Sequence, residues 1–256
     1  MLLDELLAVW DKSISFCWMG NAGWLISHDG HLIGIDLDLM SERLWHPAIS
    51  AAEMAGRLEY ALVTHSHGDH FNVPTLKPLM DNGPCAVILP KSCIAEAEQA
   101  GIPASRIILA VPGQSFEPAP WLKVEPVHAL HGHIKHSVYM GANFDDCGYI
   151  ITMGGRRFFH PGDSLLLHEH FGITDIDVLF VSPTEHNTHI DASRTLIEAI
   201  KPALIFAQHF GTYPVTDDNA FWTKGYEREL RKALLTDYRE RYHVPVPGKV
   251  YLMRNS

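Results

Sequence analysis

No stretch of this 256-residue chain reaches the roughly 18 consecutive apolar residues that a membrane-spanning helix needs. The opening MLLDELLAVWDK carries acids where a secretory leader carries bases, so a cytoplasmic protein is the expectation. Cysteine is scarce. The four residues at 17, 85, 93 and 147 never fall in CxxC spacing, which excludes a zinc knuckle or thioredoxin-type motif and reads as free thiols in a reducing compartment. Positive charge is short as well: 20 lysines and arginines face 30 acids, for a net charge of −10. A broad phosphate-binding face is therefore disfavoured, and neither nucleic acid nor membrane is expected as a partner. There is no low-complexity tract, charge run or sequence repeat. The length suits one large domain or two small ones, and the reading adopted is a single domain over 1–256.

What the chain does have is 17 histidines. Three of them stand in HSHGDH (65–70), directly after YALVT (60–64), an apolar β-branched run that reads as a buried strand. Around it, strands are expected at 14–20, 23–27, 31–36, 86–90, 106–111, 121–130, 147–153, 156–160, 178–182, 203–209 and 249–253. Gly154-Gly155 marks a hairpin turn. Helices are expected near 48–58, 91–100, 191–200 (capped by Asp191) and 217–240. Hairpins early and strand–helix alternation later suggest a layered α/β sandwich.

The spacing of HSHGDH has a mechanical reading. His65 and His67 lie two apart, so an extended backbone aims both rings to one side. Asp69 and His70 follow the bend at Gly68 and can aim at a second point. One loop can thus serve two cations, which stand about 3.5–4 Å apart in two-metal hydrolases. Imidazole with carboxylate suits zinc or manganese, with iron as a third option. One loop cannot complete two sites, and other strand ends offer candidates. Asp163 in HPGDS (160–164) could bridge two cations, though taken alone an ordinary Pro-Gly-Asp turn is the simpler explanation. His209 follows ALIFA, where a packed core histidine is the bland alternative. HALHGHIKH (128–136) offers four histidines, one of them a ligand. Asp36, at an early strand end, is a candidate to hold a ligand imidazole in its tautomer, or else a turn residue.

HSHGDH, HGH, HPGDS and AQHFGTYP, in that order, resemble the metallo-β-lactamase superfamily, and most of all its branch containing L-ascorbate-6-phosphate lactonase. CWMGNAGWLISHDGHLIGIDLDL (17–39), GYIITMGGRRFFHPGDS (148–164) and KPALIFAQHFGTYP (201–214) resemble that branch's blocks, so the match spans roughly 17 to 214. The resemblance implies a four-layer αββα sandwich and two divalent metal ions. It implies that His65, His67 and a histidine of 128–133 hold the first ion; His131 is chosen, with His128 and His133 as alternatives. Asp69, His70 and His209 would hold the second ion, and Asp163 would bridge. The glutamate of flavodiiron proteins is absent at His67, and the TPGHT-like segment of glyoxalase II is absent from HALHGHIKH. Departures from the branch stand at Asn21, at Gln208 and in the histidine-rich PTEHNTHID (183–191).

The implied chemistry is hydrolysis by a metal-activated hydroxide, with Asp69 orienting it and passing a proton to the leaving group. A small polar substrate is expected, first a lactone or cyclic ester, phosphorylated or not. A phosphodiester is the second choice, and a non-catalytic metal-binding protein is the weaker alternative. Trp24, Trp45, His186, His189 and Tyr213 flank these blocks, with core packing or plain exposure as the simpler explanation for each. Arg156 and Arg157 read as a solvated hairpin tip. Homo-oligomers occur among relatives of this kind.

Overall fold

Runs such as ISFCWMG, AVILP and VLFV are apolar at nearly every position, the signature of strands covered on both faces. The structure, a computed structural model, describes residues 2–8, 13–40 and 42–254. The chain divides into two compact units, Met1–Val111 with Val246–Ser256, and Pro112–Pro245.

The first unit holds strands β1 (Ile14–Gly20), β2 (Gly23–His28), β3 (His31–Ile35), β4 (Tyr60–Leu62), β5 (Ala86–Pro90) and β6 (Ile107–Ala110). With the closing strand Val250–Met253 at the edge beside β1, they form one seven-stranded sheet in sequence order. The pairings from the closing strand to β3 are antiparallel, and those from β3 to β6 are parallel. Its helices are α1 (Leu2–Leu7), α2 (Ala51–Met54), α3 (Val73–Asp81) and α4 (Ile94–Gln99). Leu6, Met54, Leu76, Leu79 and Ala97 of those helices pack with Cys17, Leu25, Ala61, Val87 and Leu89 of the sheet in one core. Alternate strand positions supply that face, as the two-residue period requires.

The second unit repeats the scheme with β7 (Phe116–Ala119), β8 (Leu122–His128), β9 (Cys147–Met153), β10 (Arg156–His160), β11 (Val178–Val181), β12 (Leu204–Ala207) and β13 (Tyr242–His243). Again the pairings are antiparallel as far as β10 and parallel from there to β13. Its helices are α5 (His189–Ile200), α6 (Ala220–Thr223), α7 (Glu227–Ala233) and α8 (Thr236–Arg241). The expected α/β class is therefore present as two mixed sheets with helices. Among the described residues no helix is long and apolar enough to cross a membrane.

Several expected elements differ in detail. The helix expected over 217–240 is three short ones, because Tyr226 adopts a left-handed φ of 47° and Gly225 sits where a Cβ would lie 2.2 Å from Phe210. The helix expected from 191 starts at His189 behind Thr188, so Asp191 lies in its first turn and does not cap it. The helix near 48–58 shortens to four residues closed by a Ser50–Glu53 capping box. Helices α1 and α3 and strands β7 and β13 were not expected. The hairpin turn stands as read, with Gly154 and Gly155 both at positive φ.

All four cysteines are buried, and none is disulfide-bonded. Burial pushes the Cys17 and Cys85 thiols up to about 12. At pH 8 only about one in ten thousand of either would be thiolate. Native protein is therefore expected to leave Cys17 and Cys85 unlabelled by iodoacetamide at pH 8, and both should label in urea. Peptide mapping that found either one modified within minutes in the folded protein would contradict the burial.

Candidate metal centre

In the first unit the candidate residues cluster at the carboxyl ends of β3 and β4. Asp36 follows β3 with a left-handed φ of 44° and no solvent exposure. A non-glycine residue there is strained, and such strain persists where surrounding bonds hold it. Three donors do so. The Thr64 amide reaches Oδ1 at 2.9 Å, the Thr64 hydroxyl reaches Oδ2 at 2.7 Å, and His70 Nδ1 stands 2.7 Å from Oδ2. A carboxylate only accepts, so His70 carries its proton on Nδ1 and presents Nε2 as a lone pair. The Thr64 hydroxyl has given its proton to Asp36, so its oxygen accepts from His65 Nδ1 at 3.0 Å, and His65 likewise presents Nε2. One buried carboxylate thus sets two imidazoles. The His65 ring lies 4.1 Å from that of His70 and 4.7 Å from that of His67. Asn21, also at left-handed φ, donates to Asp69 Oδ2 at 2.8 Å and fixes which way that carboxylate faces. Asn72 closes the loop, donating to the Gly68 carbonyl while its Oδ1 caps α3.

The second unit gathers its candidates at the carboxyl ends of β8, β10, β11 and β12. Leu130 and Leu165 exchange a backbone bond, and Ser164 accepts from the Leu130 amide, which ties the segment after β8 to the HPGDS segment after β10. His131 therefore faces Asp163. Its Nδ1 lies 2.7 Å from the Gly132 carbonyl, and its Nε2 lies 3.5 Å from Asp163 Oδ2. His209, at a left-handed φ of 62° after β12, repeats the pattern with Nδ1 3.1 Å from the Trp222 carbonyl and Nε2 3.0 Å from the same Oδ2. His186, after β11, repeats it a third time, with Nδ1 3.2 Å from the Phe221 carbonyl and Nε2 2.7 Å from Oδ2. Burial pushes the His186 ring below the usual imidazole range, against the upward pull of the Asp163 carboxylate. Asn187 donates through Nδ2 to Asp163 Oδ1 at 3.1 Å. A carboxylate cannot donate, so that contact orients the amide, and Asn187 Oδ1 is left buried with no hydrogen-bond partner.

These donors suit a divalent cation. A carbonyl only accepts, so each ring engaged through Nδ1 keeps its proton there, which is how metal-bound histidines are held. The three Nε2 lone pairs then converge on a carboxylate oxygen with no proton to share between them. The ligand atoms of His131, Asp163 and His186 all lie within 4.8 Å of one another. Imidazole and carboxylate without thiolate match zinc, manganese or iron chemistry.

The remaining candidates fall elsewhere. His128 forms a surface pair with Glu169 at 2.9 Å, and His133 packs on Tyr139 and Phe221. Of the 128–133 histidines it is thus His131 that the structure brings to Asp163. Trp24 is core, Trp45 rests edge-on against Trp18, and Tyr213 lies edge-on to Trp222. His189 packs on Tyr226. Arg156 and Arg157 pair with Asp177 and Glu125. Gln208 spans to the Ser182 hydroxyl, joining β12 to β11. His186 is the residue whose position sequence reasoning undervalued. Its signal was the run of polar side chains, TEHN, directly beyond an apolar strand end.

The family model for the β-lactamase superfamily domain matches residues 34–210. A UPF0173 protein of Pyrococcus furiosus is 27% identical over 84% of this chain and 90% of its own length. A UPF0173 metal-dependent hydrolase of Desulforamulus reducens is 27% identical over 66% of this chain and 75% of its own length. Among solved structures, the metallo hydrolase Igni18 of Ignicoccus hospitalis superposes with a TM-score of 0.70 at 19% identity, covering 95% of this chain and all of that one. An isothiocyanate hydrolase from Delia radicum gut bacteria gives a TM-score of 0.72 at 12% identity, covering 93% and 98%. At such identities these structures speak for the fold alone.

Proposed function

The chain belongs to the metallo-β-lactamase superfamily, and from that premise we propose that it is a metal-dependent hydrolase that opens a lactone or other cyclic ester of a small polar molecule. The observation that carries the reading is the convergence of imidazole Nε2 atoms on Asp163 Oδ2, each ring held through Nδ1 by a backbone carbonyl. The naming of curated relatives as metal-dependent hydrolases supports the reaction class. In this reading His65, His67 and His131 would hold one ion, Asp69, His70 and His209 would hold a second, and Asp163 would contribute to both. The ions, zinc or manganese, would supply Lewis acidity and a water of lowered pKa.

The chain's own groups do the rest. Asp36 keeps the lone pairs of His65 and His70 directed away from itself. Asn21 holds the Asp69 carboxylate, which takes the proton of the attacking water and delivers it to the leaving alkoxide oxygen as the acyl C–O bond breaks. Arg156 and Arg157 are each committed to an ion pair and are not assigned to a phosphate. The lactone choice rests on the sequence resemblance. The same metal centre would suit a phosphodiester, which is the competing substrate.

The test is a chelator-stripped preparation reloaded with zinc or manganese and offered a sugar lactone, its phosphorylated form and bis(p-nitrophenyl) phosphate. Lactone opening that appears only on reloading is expected. Diester cleavage with an inert lactone would replace the substrate, and no turnover at all by fully loaded protein would overturn the hydrolase assignment.

A further inference from the structure

We infer that His186 is itself a metal ligand, carried by the loop Thr184–Asn187 beyond β11. This inference rests on the metal-dependent reading above and adds a donor that reading does not contain.

Three observations carry it. His186 has the same pair of contacts as His131 and His209: Nδ1 on a backbone carbonyl, Nε2 on Asp163 Oδ2. These two contacts are of the same kind as those of the two rings the sequence resemblance assigns as ligands, and at 2.7 Å its Nε2 lies nearest the shared oxygen. Second, the neighbouring Asn187 donates through Nδ2 to Asp163 Oδ1, while its own Oδ1 is buried without a hydrogen-bond partner. A buried acceptor in that state is destabilising unless a donor or cation meets it, so the loop carries an unmatched electron-pair donor one residue from His186. Third, the loop is built to stand where it does. The His186 amide donates to the Phe221 carbonyl at 3.1 Å, and the amides of Asn187 and His189 both donate to the Thr184 carbonyl. On its other side Gly132 packs so tightly that an added Cβ would lie 1.9 Å from the His186 carbonyl oxygen. The glycine of HGH thus lets the His131 segment lie directly on the His186 peptide, with the two rings 5.3 Å apart.

The competing role is positional: His186 could simply donate Nε2–H to Asp163 and steady it. Two variants separate the roles. His186→Gln restores an N–H donor for Asp163 but replaces an imidazole nitrogen by an amide. His186→Phe fills the space and removes both functions. Zinc affinity is measured by competition with a chromophoric chelator, and coordination by the visible absorption of the cobalt(II)-loaded protein. A ligand role predicts that both variants lose at least about 100-fold in affinity and change the cobalt spectrum. Wild-type affinity and spectrum in His186→Gln would overturn the inference and leave His186 a positioning residue. If His186→Phe fails to fold, the glutamine variant still decides. The two readings fail differently: wild-type protein that binds no zinc or cobalt sinks the metal-dependent reading, whereas wild-type protein that binds and turns over, with an unchanged glutamine variant, sinks this inference alone.

Discussion

Asp36→Ala is expected to lower folding stability by about 3–5 kcal/mol and to weaken metal binding by about 10–100-fold. The stability loss follows from what the alanine leaves behind. The Thr64 amide, the Thr64 hydroxyl and His70 Nδ1 would lose their acceptor in a site with no solvent exposure at Asp36. Each stranded donor costs about 1–3 kcal/mol, partly offset because a buried carboxylate no longer has to be desolvated. Alanine also tolerates the 44° φ poorly. The affinity loss follows from the tautomers. Without Asp36 the proton of His70 can sit on either nitrogen, and the Thr64 hydroxyl can turn its hydrogen toward His65 and reverse that ring as well. Asp36→Asn keeps the shape and suits the backbone, but it must point an NH2 at one of the three donors, so an intermediate loss is expected. Urea denaturation of metal-free protein gives the first quantity and chelator competition the second. A variant within about 1 kcal/mol and twofold of wild type would show that the Thr64–His70 loop holds its tautomers by other means.

The loop itself was legible because its residue types are rare together: three imidazoles and an aspartate in HSHGDH have no packing explanation. Asp36 was half legible. Its place at a strand end could be read, but its three donors come from a loop 28 to 34 residues away, and sequence cannot choose such partners. The choice of His131 over His128 and His133 came from the resemblance alone; that this ring faces Asp163 follows from the Leu130–Leu165 bond and the Ser164 hydroxyl, a tertiary matter. His186 was weighed as a core or exposed residue because one histidine on a loop usually is. Its contacts are to Phe221 and Asp163, 35 and 23 residues away, partners that local sequence does not select.

The same limits apply to the fold. Long apolar runs marked the central strands. The edges of the second sheet were invisible, since β7 contains Pro118 and β13 is only two residues long. Helix α3 was hidden by Pro74 and Pro78. The first falls near the amino end, where the ring is tolerated, and Asn72 supplies the cap. The span 217–240 kept a helical pattern of residues, but the packing of Gly225 against Phe210 and the left-handed Tyr226 break it, and neither belongs to local periodicity.

Asp163→Asn should separate metal binding from folding by moving them in opposite directions. In metal-free protein Asp163 Oδ2 faces Nε2 of His131, His186 and His209 at 3.5, 2.7 and 3.0 Å, with each ring's Nδ1 on a backbone carbonyl. Asparagine removes the anion and can turn its NH2 toward one of those Nε2 lone pairs, converting an acceptor–acceptor contact into a hydrogen bond of about 1 kcal/mol. The metal-free variant is thus expected to be at least as stable as metal-free wild type, even though Asn187 Nδ2 exchanges a charged acceptor for a neutral one. With ions present the order reverses. An ion at a thousandfold excess over its Kd adds about 4 kcal/mol to the folded state, and that increment depends on a donor set that has lost its only anion in this cluster. Catalytic turnover should fall at least about a thousandfold with it. The measurement is a pair of thermal melts for each protein, one in chelator and one in zinc, beside metal content after dialysis. An asparagine variant with the full zinc-induced rise in Tm would show that Asp163 is not part of the metal centre, and the function proposed for this chain would have to be rebuilt around other residues.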